Sequence, residues 1–155
     1  MIKPFVSEEY NTATWNGITY HNLPPYGLGE IGYSFRLSPQ RSSIEYPAKE
    51  TPLAGSAKWE RVAIEDLNLS EPFIHIPSFG QLSGYSEEEF HIPPHIGALV
   101  CLSPRYIGRG LIMNSYFITG GWSGYIPFSI FNPTDSFVEI NLCGGIGKIF
   151  FIDLS

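Results

Sequence analysis

Residues 119–132, TGGWSGYIPFSIFN, combine three glycines, a tryptophan and a strand-like run. Gly121 and Gly124 flank Trp122, and glycine permits positive φ angles and a close approach to the backbone. A flat ligand could lie against main-chain groups here, with the indole of Trp122 as an apolar plate. A plain hairpin turn whose tryptophan packs into the core or an interface fits the same residues. The sequence leaves both interpretations open.

Arg105 and Arg109 lie in the segment SPRYIGRGL, and Lys148 lies in a later strand-like run. A guanidinium group matches the oxygen atoms of a phosphate, so the arginines are candidate phosphate ligands. Pairing with surface carboxylates is the alternative, because the chain carries 15 Asp and Glu against 9 Lys and Arg. Lys148 fits either a phosphate-binding role or an exposed position in a strand.

His91 and His95 lie in the segment HIPPH, just after the acidic run at residues 86–89. The two prolines between the histidines prevent the helical geometry that a metal-binding pair needs, and no third ligand follows at a recognised spacing. We therefore expect no metal site and predict a loop or interface histidine pair. The acidic run is expected to be a solvated strand start or turn. A Gly-rich phosphate loop, a Ser-His-Asp arrangement and a CxxC motif are not visible in the sequence.

The elements that would position these residues are short strands. Sixteen glycines and thirteen prolines are spread along the chain, and they interrupt every long window of helical spacing. Residues 57–69 are the best helical candidate and are ambiguous, while residues 38–58 are expected to form a long surface loop. Eight runs rich in Ile, Val, Phe and Tyr predict an all-β sandwich or barrel. They are residues 17–23, 31–37, 71–77, 97–103, 110–118, 124–132, 136–142 and 147–154.

Length and composition narrow the class of protein. The length of 155 residues suits a single domain that spans residues 1–155. The high content of hydrophobic residues, 43%, and the low content of charged residues, 15%, argue against intrinsic disorder. A net charge of −6 without a basic run argues against nucleic acid and anionic membranes as partners. No signal-peptide core is visible, and no apolar run approaches the roughly 18 residues of a membrane span. Cys101 and Cys143 fit buried free thiols in a reducing compartment, so we expect a cytoplasmic protein.

Four blocks of the sequence together carry a resemblance to a known family. Residues 29–38 read GEIGYSFRLS, residues 75–100 contain SEEEFHIP, residues 108–132 contain GRGL and GWSGYIPFSIFN, and residues 143–154 read CGGIGKIFFIDL. In order and in separation they resemble the dCTP deaminase branch of the trimeric dUTPase superfamily. Each block is weak alone, but order and spacing together constrain chance matches.

The resemblance implies a distorted β-barrel of the β-clip type, a homotrimer, and nucleotide sites between its subunits. Lys148 would then lie near the trimer axis or bind phosphate. Mg²⁺ is expected only if a nucleoside triphosphate is bound. The predicted ligand-binding residues are Arg105, Arg109, Ile118, Thr119, Gly121, Trp122, Gly124 and Lys148.

The chain departs from the family at the positions that carry out the chemistry. Active dCTP deaminases have a glutamate in the strand after the turn, and Ser129 stands at that place. A serine hydroxyl cannot accept and return a proton near neutral pH without a partner base. The aspartate that orients water in dUTPases corresponds to a position near Thr119, and the family's second aspartate there is replaced by Gly121. We therefore expect no catalytic residue among these positions.

Two further departures point in the same direction. Ser34 replaces the aspartate of the family's SYD block. The family continues beyond its closing strand into a segment that covers the bound triphosphate, and no such lid is expected after Ser155. Without a lid, water exclusion and phosphate capture would be weaker.

The sequence thus favours a degenerate, non-catalytic member of the superfamily that binds a pyrimidine deoxynucleotide or a protein partner between subunits. One alternative is an unconventional dCTP deaminase or dUTP pyrophosphatase of deoxynucleotide metabolism, with a carboxylate recruited from Glu139 or Asp135. Another alternative is a structural trimer that serves in assembly.

Overall fold

The computed structural model of the chain describes residues 2–47 and 59–155, and this part of the chain is almost entirely β. Besides the strands there is one short helix, α1, at Pro104–Ile107, and there are 3-10 turns at Pro39–Arg41 and Ile64–Asp66. The strands are β1 Ile2–Lys3, β2 Ala13–Trp15, β3 Ile18–Tyr20, β4 Gly27–Leu28, β5 Tyr33–Arg36, β6 Ser43–Pro47, β7 Trp59–Ala63, β8 Phe73–Ile76, β9 Gln81–His91, β10 Ile96–Leu102, β11 Ile112–Met113, β12 Tyr116–Ile118, β13 Ser123–Phe131, β14 Val138–Asn141 and β15 Gly145–Asp153.

The first large sheet has the order β11-β13-β9-β6-β7, and β1 also pairs with β9. Strand β9 is its centre, and its register with β13 shifts because residues 86–88 lie opposite Ile126 alone. Ser86 supports this bulge: its Oγ accepts the backbone N–H of Ile126 at 2.9 Å and donates to the Glu88 carbonyl oxygen at 2.6 Å. A bulge bends its strand and redirects side chains, so Glu88 is turned into the interior.

The second large sheet has the order β12-β10-β15-β5-β4. Strands β10 and β15 form its centre, with an unbroken antiparallel register from Ile96 opposite Asp153 to Leu102 opposite Gly147. Two smaller pairs, β14 with β8 and β2 with β3, complete the described sheets.

One cluster of buried side chains joins the two large sheets. The alternation along β13 shows how the sequence builds it: Ile126, Phe128 and Ile130 are buried, while Pro127 and Ser129 between them are exposed. Successive side chains of a strand point to opposite faces, so alternate apolar residues supply the core. Tyr33, Phe35, Phe90, Val100, Ile140, Ile146 and Ile149 contribute to it from other strands.

The all-β class predicted from the sequence is confirmed, since each of the eight predicted runs contains a strand. The expected loop at residues 38–58 is wrong in part, because Ser43–Pro47 pairs with both β7 and β9. The rest of that segment, residues 48–58, lies outside the described residues. The ambiguous helical candidate, residues 57–69, is not a helix where the structure describes it. Its described part begins with strand Trp59–Ala63 and continues with the 3-10 turn Ile64–Asp66.

The two cysteines are free thiols and are half-buried rather than fully buried. Burial raises the pKa of the Cys143 thiol. Among the residues that the structure describes, no helix is long and apolar enough to cross a membrane.

Candidate functional site

The glycine-rich turn connects the two large sheets. Strand β12 pairs with β10 in one sheet and β13 pairs with β9 in the other, so residues 119–122 form a corner between sheets. The plain hairpin, one of the two interpretations that the sequence left open, is therefore wrong. Gly121 has a φ of +86° and Gly124 a φ of +149°, conformations that favour glycine, as the sequence indicated.

Backbone hydrogen bonds and close packing hold the turn in place. The Gly121 N–H donates to the Ile92 carbonyl oxygen at 2.9 Å, and the Ile92 N–H donates to the Trp122 carbonyl oxygen at 2.9 Å. A Cβ at Gly120 would lie 2.3 Å from the Pro94 carbonyl oxygen, and one at Gly124 would lie 3.1 Å from the Trp122 ring. The turn is thus a rigid piece of backbone against which the indole lies.

The predicted residues of the turn differ in exposure. Trp122 is partly buried and packs against the core, so its indole meets the core as well as the turn. Thr119 is exposed, whereas the Ile118 side chain belongs to the core. Only the backbone of Ile118 could face a ligand.

The two predicted arginines lie together at a different place, on and just after α1. They line a cavity of about 160 Å³ with Asn22, Glu139 and Asn141 among its walls. Arg105 Nη1 donates to the Asn22 carbonyl oxygen at 2.8 Å, and Arg109 Nη1 donates to the Glu139 carbonyl oxygen at 3.2 Å. Both side chains are exposed, and these contacts direct their positive charge to one opening.

Lys148 is close to the same basic region. It lines a neighbouring cavity of about 210 Å³ together with Arg105, Ser34 and Glu9. Its ammonium group also lies 5.6 Å from the centre of the Phe150 ring. The three predicted cations therefore surround two adjoining cavities.

The predicted ligand-binding residues thus form two groups at opposite ends of β10. The turn lies beyond the Ile96 end, where a Cβ at Gly120 would be 2.8 Å from the Ile96 carbonyl oxygen, and α1 follows directly after Leu102. Ile96 and Leu102 are the ends of a seven-residue strand, which puts them roughly 20 Å apart at about 3.3 Å per residue. One chain does not bring the turn and the arginines to the same ligand.

Ser129, which the sequence resemblance aligns with the family's glutamate, lies in a row of serine hydroxyls. Ser129 lies opposite Ser83 with the two Oγ atoms 3.2 Å apart, and Ser83 lies opposite Ser43 in β6. Arg61 Nε donates to Ser43 Oγ at 2.8 Å. These contacts supply no base near Ser129.

The two carboxylates considered as replacements lie in different surroundings. Glu139 is exposed on β14 and lines the cavity of the two arginines. Asp135 is exposed in the turn before β14, where its Oδ1 is 3.5 Å from Ser136 Oγ. Glu139 is therefore the one that adjoins predicted ligand-binding residues.

The sequence interpretation missed a buried carboxylate. Glu88 is fully buried, and the expectation of a wholly solvated acidic run at residues 86–89 is wrong. The Arg36 backbone N–H donates to Glu88 Oε1 at 3.0 Å, and Arg36 Nε lies 3.6 Å from the same oxygen. Burial raises the pKa of Glu88 to about 7, against the opposing effect of the Arg36 charge. The following Phe90 and Ile92 were the available signal, because they place Glu88 on the same inward face.

The histidine pair is separated in the structure. His91 ends β9 and lies 3.0 Å from Glu89, while His95 lies in the loop before β10. Within the described residues, no three His, Cys, Asp or Glu side chains are grouped so that they could hold a metal ion.

A third cavity, of about 640 Å³, lies beside the turn and is lined by apolar side chains. Ile92, which hydrogen-bonds the turn, is part of its wall. The other lining residues are Ile2, Lys3, Phe5, Phe90, His91, Pro93, Ile96 and Phe151. Its volume falls in the usual range of about 300–1,000 Å³ for small-molecule sites.

Comparison with known proteins gives a sequence relative and a larger number of related structures. No protein-family model matches the chain. The chain is 27% identical over 155 residues to a dCTP deaminase of Protochlamydia amoebophila (strain UWE25), which is 99% of this chain and 77% of that protein. The structure of this chain is similar to that of 2'-deoxycytidine 5'-triphosphate deaminase from Agrobacterium tumefaciens, with a TM-score of 0.53. The two chains are 11% identical, and the match covers 80% of this chain and 39% of that chain. EIAV dUTPase matches with a TM-score of 0.47 and 18% identity over 54% of this chain and 69% of that chain.

The sequence match over nearly the whole chain and the shared all-β fold bear out the resemblance carried by the four sequence blocks. The chain thus resembles a dCTP deaminase in sequence and shares the fold of a dCTP deaminase structure.

Proposed function

We propose that this protein is a degenerate member of the superfamily that binds a pyrimidine deoxynucleotide between subunits and does not deaminate or hydrolyse it. The observation that carries the proposal is the division of the predicted ligand-binding residues between the two ends of β10. A homotrimer, which the resemblance implies, would place the turn of one subunit against the arginines of the next.

The end of β10 that is followed by Arg105 and Arg109 suits the phosphate groups of such a nucleotide. Its cavity of about 160 Å³ is smaller than the roughly 300–1,000 Å³ of sites that enclose a whole ligand. Arg105 and Arg109 retain N–H groups beyond the ones that bond to carbonyl oxygens, since a guanidinium has five. The phosphates would bind here and the rest of the nucleotide would extend out of the cavity.

The turn suits the base. Trp122 offers an aromatic surface, and stacking of a base on an aromatic side chain contributes about 1–3 kcal/mol. The exposed Thr119 and the backbone of Gly121 lie beside it. A flat pyrimidine would therefore bind by stacking and main-chain contacts.

The absence of turnover follows from the surroundings of position 129. General-base catalysis needs a proton acceptor within hydrogen-bond reach of the attacking water. Ser129 has the Ser83 hydroxyl as its partner, and neither group is a base near neutral pH. Binding without chemistry is the consequence.

An active enzyme is the second candidate, and one observation favours it. Glu139 lines the cavity of the arginines, so a carboxylate does adjoin the proposed phosphate site. In that case Glu139 would activate water, and the protein would be a dCTP deaminase or a dUTP pyrophosphatase of deoxynucleotide metabolism.

Nucleotide binding and turnover separate these candidates. Isothermal titration with dCTP and dUTP, alone and with Mg²⁺, is expected to show binding, and chromatography of the incubated nucleotides is expected to show no dUTP, dUMP or pyrophosphate formed. Turnover that disappears in Glu139→Gln would replace the proposal with the enzyme. Absence of binding to every nucleotide would instead favour a protein partner or a structural trimer.

Mixed trimers test whether the site is shared. Arg105→Ala/Arg109→Ala and Trp122→Ala are each expected to weaken binding at least tenfold, since charge-assisted hydrogen bonds contribute about 1.5–3 kcal/mol each. In trimers assembled from an equal mixture of the two variants, about one site in four would combine an intact turn with intact arginines, by symmetry of the ring. Recovery of that fraction of tight sites supports the proposal. No recovery, from mixtures shown by mass spectrometry to contain hybrid trimers, contradicts a shared site.

A further inference from the structure

Three polar side chains form a hydrogen-bonded chain on one face of the sheet beside the apolar cavity. His91 Nε2 lies 3.0 Å from Glu89 Oε1, and His91 Nδ1 lies 3.1 Å from Ser123 Oγ. A carboxylate, an imidazole and a hydroxyl in this order are the parts of an activated serine nucleophile. The sequence did not reveal them, because Ser123 is 32 residues from His91.

The sheet itself sets this arrangement. Ser123 and His91 are directly opposite each other in β13 and β9, and Glu89 is two residues before His91 on the same face. Hydrogen bonds between Ile92 and the turn at Gly121 and Trp122 flank the pair on one side. The three side chains therefore extend from paired strands rather than from loops.

A hydrogen bond from Nε2–H to the Glu89 carboxylate would leave Nδ1 as the acceptor for the Ser123 hydroxyl, which is the arrangement that a serine nucleophile needs. The side chains of His91 and Glu89 are 45% and 38% exposed, and Ser123 is exposed, so a substrate can reach all three.

The adjoining cavity indicates the class of substrate. His91 is part of the wall of the 640 Å³ cavity, whose other walls are mainly apolar, among them Phe5, Ile96 and Phe151. An apolar chain placed there would lie against His91, whose Nδ1 is 3.1 Å from Ser123 Oγ. Lys3 also lines the cavity and lies opposite Glu89 in β1, so it brings a positive charge to this face.

We propose that Ser123, His91 and Glu89 hydrolyse carboxylic esters that carry an apolar acyl chain. Ser123 Oγ attacks the ester carbonyl carbon as its proton passes to His91 Nδ1, and Glu89 stabilises the imidazolium. The tetrahedral intermediate releases the alcohol, which takes the proton from His91, and the acyl group stays on Ser123. Water then attacks the acyl group, gives a proton to His91, and releases the carboxylic acid as Ser123 regains its proton.

The test uses the full chain and p-nitrophenyl esters of acetate, butyrate and hexanoate. The wild type is expected to hydrolyse the longer esters faster, because their acyl chains fill the cavity. Ser123→Ala and His91→Gln are expected to lower kcat/KM by about 10²–10⁴-fold, the usual contribution of general acid–base groups. A fluorophosphonate is expected to label Ser123, identified by peptide mass spectrometry.

Matched controls exclude unspecific surface reactivity. Ser136→Ala changes another exposed serine, and His75→Gln changes another exposed histidine, which stacks against Phe137. Both controls should hydrolyse the esters as the wild type does. Equal rates for wild type and Ser123→Ala, or a wild-type rate no higher than that of His91→Gln, would overturn the proposal. Urea unfolding of each variant verifies that its fold is retained.

Discussion

Two positions on neighbouring strands of one sheet, Glu88 in β9 and Ser129 in β13, show opposite outcomes for a carboxylate. Glu88 is kept in the interior, where it accepts the backbone N–H of Arg36 and raises its own pKa through burial. Ser129 stands on the exposed face, where its Oγ lies 3.2 Å from Ser83 Oγ. The buried position thus holds a carboxylate that supports the fold, and the exposed position, proposed to match the family's glutamate, holds a hydroxyl.

Within one sheet, position 88 thus supports the fold, while position 129 belongs to the exposed surface. Glu88 connects β9 to β5 through Arg36, so its removal would disturb the packing of both large sheets. Ser129 contacts Ser83 on the exposed face of the sheet and lies outside the core. We therefore expect position 88 to respond strongly to substitution and position 129 to respond weakly.

The largest expected effect is the loss of the Glu88 acceptor. At pH 5.5, Glu88→Ala should lower the free energy of unfolding by about 3 kcal/mol, because it leaves the Arg36 N–H without a partner and opens a void. Ser129→Ala is the matched control and should change it by less than about 0.5 kcal/mol. Urea unfolding followed by tryptophan fluorescence measures both. Similar losses of unfolding free energy in the two variants would show that positions 88 and 129 do not differ in their contribution to the fold.

The second effect is pH dependence, and its sign follows from the raised pKa of Glu88. The folded protein holds the proton up to a pKa of about 7, whereas the unfolded chain releases it near 4.5. The associated stability is therefore present below pH 4.5 and is lost as the pH rises through 7.

Glu88→Gln keeps a hydrogen-bond acceptor for the Arg36 N–H and removes the titration. Between pH 5 and pH 8 the wild type should lose roughly 2 kcal/mol of unfolding free energy relative to this variant. Urea unfolding at four pH values across that interval gives the difference. A constant difference would show that Glu88 does not take up a proton on folding.

A similar contrast divides the glycines of the turn. Gly120→Ala should cost about 2 kcal/mol, because its Cβ would lie 2.3 Å from the Pro94 carbonyl oxygen. Gly121→Ala meets open space and should cost only about 1 kcal/mol, for its positive φ. Thermal unfolding of the two variants compares them. If Gly121→Ala were the more damaging, the turn would depend on its conformation more than on its packing against residues 93–96.

The comparison also shows what could be read from the sequence. Val138 and Ile140 are buried and Glu139 between them is exposed, which is the two-residue period of a half-buried strand within the predicted run 136–142. Strand β9 was missed, although it is the longest of the described strands, because its polar residues 83–89 resemble a solvated turn. The bulge in β9 is a property of two paired strands that one segment does not reveal.

The candidate site was predictable in part for the same physical reason. The glycines of the turn are local features, and their positive φ angles were correctly anticipated. The separation of Trp122 from Arg105 depends on which strands pair, and so does the contact of His91 with Ser123. Pairing between distant strands is a tertiary property, so these groupings required the structure.

The smallest expected effect concerns the absent carboxylate itself. Ser129 is exposed and directed away from the core, so Ser129→Glu should change the free energy of unfolding by less than about 0.5 kcal/mol. Ser129→Gln, of equal size and without charge, is the control, and urea unfolding measures both. If the fold accepts a glutamate here, packing does not account for the serine at this position. A loss above about 1 kcal/mol for Glu but not for Gln would mean that the local electrostatics of this sheet exclude the charge, whatever the function.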